Sequence, residues 1–274
     1  MGRSYQNIKL IVFVILFWCS NNVFAQLPYP SEKQGPPTAQ QIIKADEYLK
    51  FEVKYSFLKL AWVELEAIRD TVIEGDTLSY LRSIVRTNSR VPFMDEDIDY
   101  YNSIIYVNED NKPVTHSYWK DNVDANKFRE YDYFFDRELN QVRFDENGVR
   151  DTLDLVEPAT SGLIIFLWSR MFAGTETPYD INVYVSKEQG KIHAENFPKK
   201  EKRKVIAFDD QEFDTYYSNG QAEVNGPFGF SGDFEGWFLA DDLRIPVEIR
   251  AKVFLGKVKI RLIEYRRGER NEKN

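Results

Sequence analysis

Cysteine is nearly absent from this chain of 274 residues and histidine is scarce: there is one of the first and there are two of the second. The single cysteine, Cys19, lies in the apolar run "LIVFVILFWCS". Arg3 and Lys9 give that run a positive start. "VFA" follows it, with Val23 and Ala25 at the two small-residue positions of a cleavage site before Gln26. The pattern is that of a secretory signal peptide over residues 1–25. The run falls short of the roughly 20 residues that span a bilayer as a helix, which argues against an uncleaved anchor. Trp18 stands where a lipidated cysteine needs a small residue before it, so a lipoprotein is the weaker alternative. Cleavage removes the only cysteine. Disulfides, thiol catalysis and cysteine-bound zinc or iron–sulfur centres are then excluded, even in an oxidising compartment.

Other absences narrow the chemistry further. His116 and His193 lie in separate strand-like runs, without the close spacing of a two-histidine zinc motif. No strand–turn–helix context for a nucleophile accompanies them, so both read as ordinary strand residues. "NGPFGFSGDFEGWF" is neither a P-loop nor a dinucleotide fingerprint. "GFSGD" has Asp233 where a nucleophile elbow needs its last glycine. Its glycines, Gly226, Gly229, Gly232 and Gly236, alternate with Phe228, Phe230, Phe234 and Trp237 and suit bulges in a bending sheet. In "DEDID", Asp95, Asp97 and Asp99 share a side if extended, which admits calcium. The EF-hand pattern fails, with Tyr100 and Tyr106 at the glycine and glutamate positions, and a solvated face is expected. The acid pairs Asp209/Asp210 and Asp241/Asp242 read as strand neighbours pointing opposite ways, poor geometry for a two-carboxylate glycosidase. No cofactor is expected, and no segment after the leader is long and apolar enough to span a membrane as a helix.

Acids outnumber bases: the formal charge is −8, and loss of Arg3 and Lys9 with the leader takes it to −10. That argues against nucleic-acid binding. About 250 residues remain, enough for one sizeable core.

Alternation is what the sequence has in abundance. After the Pro-rich leader "QLPYPSEKQGPP", "TAQQIIKADEYL" offers a short helix, with Thr38 and Gln41 at capping-box spacing. From Phe51 the period is two: Phe51, Val53, Tyr55 and Phe57 alternate with polar residues up to a break at Leu58–Lys59. Strand-like runs follow at short spacing, among them "SYLRSIVRT", "IDYYNSIIYV", "PVTHSYWK", "KFREYDYFFD", "QVRFD", "INVYVSK", "KIHAENF", "KRKVIAF", "EFDTYY" and "DFEGWFLA". Glu74-Gly75, Asn147-Gly148, "KEQGK" and Asn219-Gly220 signal turns. Tyrosine, phenylalanine and tryptophan fill many strand positions, where cross-strand pairing explains most of them. One segment differs: "PATSGLIIFLWSRMFAG" is apolar from Leu163 to Trp168, with Gly174 as a helix stop. It reads as a short buried helix covering the open side of the sheet, or as the wall of a lipid cavity.

The C-terminal "DDLRIPVEIRAKVFLGKVKIRL" forms a basic ribbon. Ile245, Val247, Ile249, Ala251 and Val253 share one face, and Arg244, Glu248, Arg250 and Lys252 the other. Beyond a turn near Gly256, Val258, Ile260 and Leu262 face the core while Lys259 and Arg261 face out. Eight cations against two acids lie between Arg250 and Arg270. They either pair with acidic neighbouring strands or form a patch for anionic lipid headgroups or acidic glycan.

This stretch and the "GDFEGWFLADD" before it resemble the C-terminal signature of the bacterial family called domain of unknown function 3108 (DUF3108). "DEYLKFEVKYSFLKLAWVELEA" looks like that family's opening strand pair, with Ala61 near the place of a usual glycine. The resemblance spans most of residues 46–265. It implies an exported, β-rich envelope protein, and it carries over no functional residue.

The expectation is therefore a mainly β chain. After the signal peptide (1–25) and a Pro-rich leader with a possible short helix (26–45) comes a single β-rich domain (46–268), then a polar tail (269–274). The domain is a strongly curved antiparallel sheet or incomplete β-barrel with one short apolar helix packed on it. The chain is exported, most simply to a periplasm, with outer-membrane-associated or extracellular placement as alternatives. It is a non-enzymatic protein holding a lipidic or other apolar ligand on the concave side, through Leu163, Phe166, Trp168 and Trp237. Arg250, Lys252, Lys259 and Arg261 are the candidates for an anionic surface contact. The alternatives are a structural or protein-interaction component of the envelope and, further off, a glycan hydrolase.

Overall fold

The computed structural model describes residues 35–92, 94–122, 129–224, 231–253 and 256–268. The signal segment, most of the leader, Gly226, Phe228, Gly229, Phe230 and the polar tail lie outside the described residues. The fold belongs to the unit Ser31–Asn274.

The strands are β1 (Glu47–Tyr55), β2 (Leu58–Leu65), β3 (Arg69–Ile73), β4 (Asp76–Thr87), β5 (Ile98–Val107), β6 (Pro113–Asn122), β7 (Tyr131–Asp136) and β8 (Gln141–Glu146). They continue with β9 (Val149–Asp154), β10 (Ala159–Thr160), β11 (Tyr179–Val185), β12 (Glu188–Val205), β13 (Gln211–Glu223), β14 (Gly232–Leu239), β15 (Pro246–Val253) and β16 (Gly256–Arg267). The helices are α1 (Ala39–Ile43) and α2 (Ile165–Phe172). All sixteen strands belong to one sheet, in the order β10 to β16, then β1, β2 and β4 to β9, with β3 beside β4. The first and last strands thus meet in the middle, from Glu47 opposite Arg267 to Tyr55 opposite Val258. Strands adjacent in the sheet pair antiparallel, apart from the short parallel contact of β10 with β11.

Period-two patterning decides the faces. Phe51, Val63 and Leu262 lie opposite one another across β1, β2 and β16 and point inward. A one-residue slip would exchange them for Glu52 and Arg261, so the register is strongly specified. Bulges at Lys50/Phe51, Val53/Lys54, Ile104/Ile105, Phe197/Lys200 and Trp237/Phe238 add local twist and bend the sheet. It curls until the β10 end rests on β5 and β6. There Thr115 Oγ1 lies 3.0 Å from Thr160 Oγ1 and accepts from the Ser161 amide at 2.9 Å. Ser103, Thr115, Thr160 and Ser161 are all fully buried, so hydroxyls replace apolar contacts at this closure.

Two helices fill the concave side. Thr38 and Gln41 form the expected capping box on α1. α2 begins after a 3₁₀ turn at Gly162–Ile164 and stops before Gly174, whose φ is +79°. Ile42, Ile43, Leu167, Trp168 and Met171 pack with Leu81 and Ile105 from one half of the sheet and Ile181, Ile192 and Ala222 from the other. Each such side chain contributes about 1.5–3 kcal/mol by leaving water. A second cluster, with Tyr118, Tyr133, Phe135, Val142 and Phe144, closes the β6–β8 end.

Several local expectations change. Asn219-Gly220 is not a turn but lies within β13, where the missing Cβ lets the His193 carbonyl and the Phe234 ring come close. The turn expected at "KEQGK" is made by Ser186 and Lys187, with φ of +54° and +63°, and Gly190 packs inside β12. "KIHAENF" and the "KRKV" of "KRKVIAF" lie in one 18-residue strand, β12, which passes Pro198 at a bulge, and Ile206–Phe208 form a 3₁₀ turn after it. The first hairpin turns at Ser56-Phe57 rather than at Leu58–Lys59. Asp209 and Asp210 are the left-handed residues of the β12–β13 turn, and Asp241/Asp242 lie in the β14–β15 connection.

Candidate functional site

Leu163, Phe166 and Trp168 come together on the concave side. Trp168 is buried, and its Nε1 donates to the Pro113 carbonyl at 3.0 Å. Leu163 and Phe166 are half-buried against the same core. Trp237 does not join them. It lies on the opposite face of the sheet, between the guanidiniums of Arg203 at 3.8 Å and Arg250 at 4.7 Å, and donates to Glu201 at 3.2 Å. The alternation of β14 explains this: Phe234 and Gly236 face inward, so Glu235 and Trp237 face out. The inward residues Val63, Val85, Phe234, Ile249 and Ile260 are only half-buried, and Phe234 packs against the core that holds the helices.

The basic ribbon is largely paired. Arg250 meets Glu248 at 2.6 Å, Lys252 meets Asp233 at 3.4 Å, Lys257 meets Glu235 at 3.1 Å and Arg261 meets Glu52 at 2.5 Å. Burial pushes the Glu52 carboxyl upward, but hydrogen bonds from Arg261 and Lys59 outweigh it and hold the group below the usual glutamate range. Lys259 sits opposite Lys54 and Arg250 in register.

The polar motifs read for chemistry are also engaged. Asn122 donates to Asp97 at 3.0 Å and to Asp99 at 3.2 Å, and Lys120 reaches Asp99 at 3.1 Å. An ammonium thus stands where a calcium ion would be sought. Among the described residues no group of three histidines, cysteines and acids is arranged to hold a metal. His116 meets the Phe134 ring edge-on. His193 lies between Asp180 and Glu195, each at 3.1 Å, on an exposed strand face, and these two hydrogen bonds raise its pKa.

The densest polar construction lies at the β14–β15 turn. Arg170 is the one charge of α2 and is 1% exposed. Its Nη2 meets Glu47 at 2.7 Å and its Nε donates to the Leu243 carbonyl at 2.8 Å. The Tyr265 hydroxyl donates to the other Glu47 oxygen at 2.8 Å. Arg244, with φ of +51°, donates to the carbonyls of Ala173, Asp241 and Gly35 and so ties α2, the turn and the leader together. Asp241 is 2% exposed; its Oδ1 accepts from the Ile245 amide at 3.3 Å and its Oδ2 has no hydrogen-bond partner. Burial pushes its carboxyl up to about 6, against the pull of Arg170. Beside this network opens a cavity of about 300 Å³ lined by Gln40, Gln41, Lys44, Ala45, Asp242, Leu243 and Arg267. A second cleft of about 240 Å³, around Asp180, Lys191, His193, Gln221 and Glu223, lies on the outer face. Charged side chains rim both. Sequence reasoning passed over Glu47, Arg170 and Tyr265. The available signal was Arg170 itself, a lone charge in an apolar helix, which demands a buried partner.

No family model and no curated protein matches the chain, so membership of the DUF3108 family is not shown. Solved structures do resemble it. One is a beta-barrel-like protein of domain of unknown function DUF1849 from Brucella abortus, at 9% identity and TM-score 0.49, covering 82% of this chain and 98% of that one. Another is a Bacteroides fragilis protein described as exported, with a YmcC-like fold, at 7% identity and TM-score 0.35, covering 85% and 98%. A third is described as a lipoprotein from Parabacteroides distasonis, at 8% identity and TM-score 0.34, covering 85% and 100%. No helix among the described residues is long and apolar enough to cross a membrane.

Proposed function

We propose that this chain is an exported, non-enzymatic component of the bacterial cell envelope, most simply of the periplasm, that meets its partners on the outside of the curved sheet. The observation that carries the reading is the packing around the helices: among the described residues, α1 and α2 sit on the concave side with buried aliphatic and aromatic side chains, a core arrangement at that part of the sheet. The N-terminal signal pattern supports export. The outside offers Phe197, 39% exposed and stacked on Tyr217 at 5.6 Å, and the sheet edge offers β3, with Val72 69% exposed. Photo-crosslinkers placed at Val72 and Phe197 in cells are expected to give discrete protein adducts. Smears or unreacted monomer at both sites would overturn the reading, and fractionation that leaves the chain in the cytoplasm would remove the location.

A second reading, a lipidic or other apolar ligand, rests on the half-buried inward residues Val63, Val85, Phe234, Ile249 and Ile260, beside Leu163 and Phe166. Such a ligand would lie in a shallow apolar trough rather than a closed cavity. Native mass spectrometry of gently purified protein is expected to show an added apolar mass if this holds. Consistently empty protein removes it.

A further inference from the structure

We propose that the cavity between α1, the Asp242–Leu243 turn and the end of β16 is a binding site for a small polyhydroxylated anion, the chemistry of a sugar acid or sugar phosphate. The site is separate from the proposed protein contacts at Val72 and Phe197, so failure of either idea leaves the other standing. Its volume, about 300 Å³, is at the lower end of the range for small-molecule pockets.

The lining residues select the ligand class. Two cations, Lys44 and Arg267, face the cavity against one carboxylate, Asp242. Arg267 reaches Asp242 through a single contact of 3.4 Å, long for a charge-assisted bond, and its guanidinium makes no other hydrogen bond or ion pair among the described residues. Lys44 closes the C-terminal end of α1 and is exposed. These two groups suit a carboxylate or a phosphate. The Gln40 amide can donate to a hydroxyl and Asp242 Oδ2, the oxygen that meets Arg267, can accept from one, while Asp242 Oδ1 is buried without a hydrogen-bond partner and Gln41 is held by the Thr38 backbone amide at 2.9 Å. Ala45 and Leu243 are buried and give an apolar floor for the C–H face of a ring. A metal cation is disfavoured by two positive groups against one acid, and a fully apolar ligand by the charged rim.

The floor is also rigid. Leu243 is fixed from behind by Arg170, and the turn is fixed by Arg244. Binding therefore calls for little reordering of the backbone, which favours affinity.

The test is calorimetric titration of the purified exported protein with glucuronate and with glucose 6-phosphate, beside glucose and acetate as controls. Saturable binding of at least one sugar anion is expected, with glucose and acetate each about tenfold weaker or more. Lys44→Gln and Arg267→Gln should each weaken binding by about tenfold with unchanged circular dichroism. If Arg267→Gln loses its fold, Lys44→Gln decides, because that residue is exposed. Asp242→Asn should narrow the gap between glucuronate and acetate. No saturable binding up to about 10 mM, acetate binding as well as glucuronate, or full affinity in Lys44→Gln would each overturn the assignment. An oligouronate that binds as tightly as the monomer identifies a polymer-borne unit. One that is excluded identifies a free sugar acid. Both outcomes uphold the site.

Discussion

Replacing Asp241 with asparagine should make the protein more stable at neutral pH. The carboxyl is 2% exposed, one of its oxygens lacks a partner, and burial raises its pKa from 3.8 to about 6. Between those values the folded chain holds a proton that the unfolded chain has released. The folded state therefore binds more protons, and stability falls as pH rises through the window. The contribution is fully present below about pH 4 and gone above about pH 6. A displacement of about two units, at about 1.4 kcal/mol each, makes the loss about 3 kcal/mol at neutral pH. Asparagine keeps the oxygen that accepts from the Ile245 amide and imitates the protonated acid. Urea denaturation at pH 7.5 should show Asp241→Asn more stable by about 1–3 kcal/mol, the lower end applying if its new N–H finds no acceptor. At pH 4 the two proteins should converge. A variant no more stable than wild type at pH 7.5, or a difference that persists unchanged at pH 4, would refute the argument.

Three other substitutions probe the frame. Arg170→Met strands Glu47 in the core and should lower stability by about 3–5 kcal/mol in urea melts; Arg170→Met with Glu47→Gln should recover at least half, since the glutamine still accepts from Tyr265. Thr115→Val leaves the buried Ser161 amide without its acceptor and should cost about 1–3 kcal/mol by the same assay, with faster amide exchange at Ser161 as its local sign. Gly220→Ala pushes a methyl group into the His193 carbonyl and the Phe234 ring, so a lower melting temperature is expected, equivalent to about 1–3 kcal/mol.

The strands were legible because one side of the sheet is wet. "IDYYNSIIYV" became β5 at both ends, and Val247, Ala251, Val258 and Leu262 fell on the buried face read from their alternation. The helix around Leu163–Phe172 was legible from its unbroken apolar run and glycine stop. What failed had a different cause. Asn219-Gly220 carries turn chemistry, but tertiary packing uses that glycine for close approach. β9 was invisible because its residues are mostly exposed at a sheet edge and carry no alternation. For the candidate site, the motif around Asp241–Pro246 stood out in the sequence, but its partners did not. Glu47, Arg170 and Tyr265 come from three distant segments, and only the curl of the sheet makes them neighbours. Trp237 was given to the wrong face because an aromatic beside glycines looks buried on either side, and here its cover is two arginines.

The meeting of β1 with β16 bears on the order of assembly. Every other antiparallel pair joins strands close in sequence, so those hairpins can form early and independently. Glu47 and Tyr265 find each other across 218 positions. Until they do, the molecule is two half-sheets, each ending in a raw edge of unpaired amides and carbonyls, a template for any complementary strand. The strand that fits each edge best belongs to another copy of the same chain. A mutual exchange of β16 between two molecules is thus the misassembly this topology most invites, and dilution during refolding is the simplest protection against it.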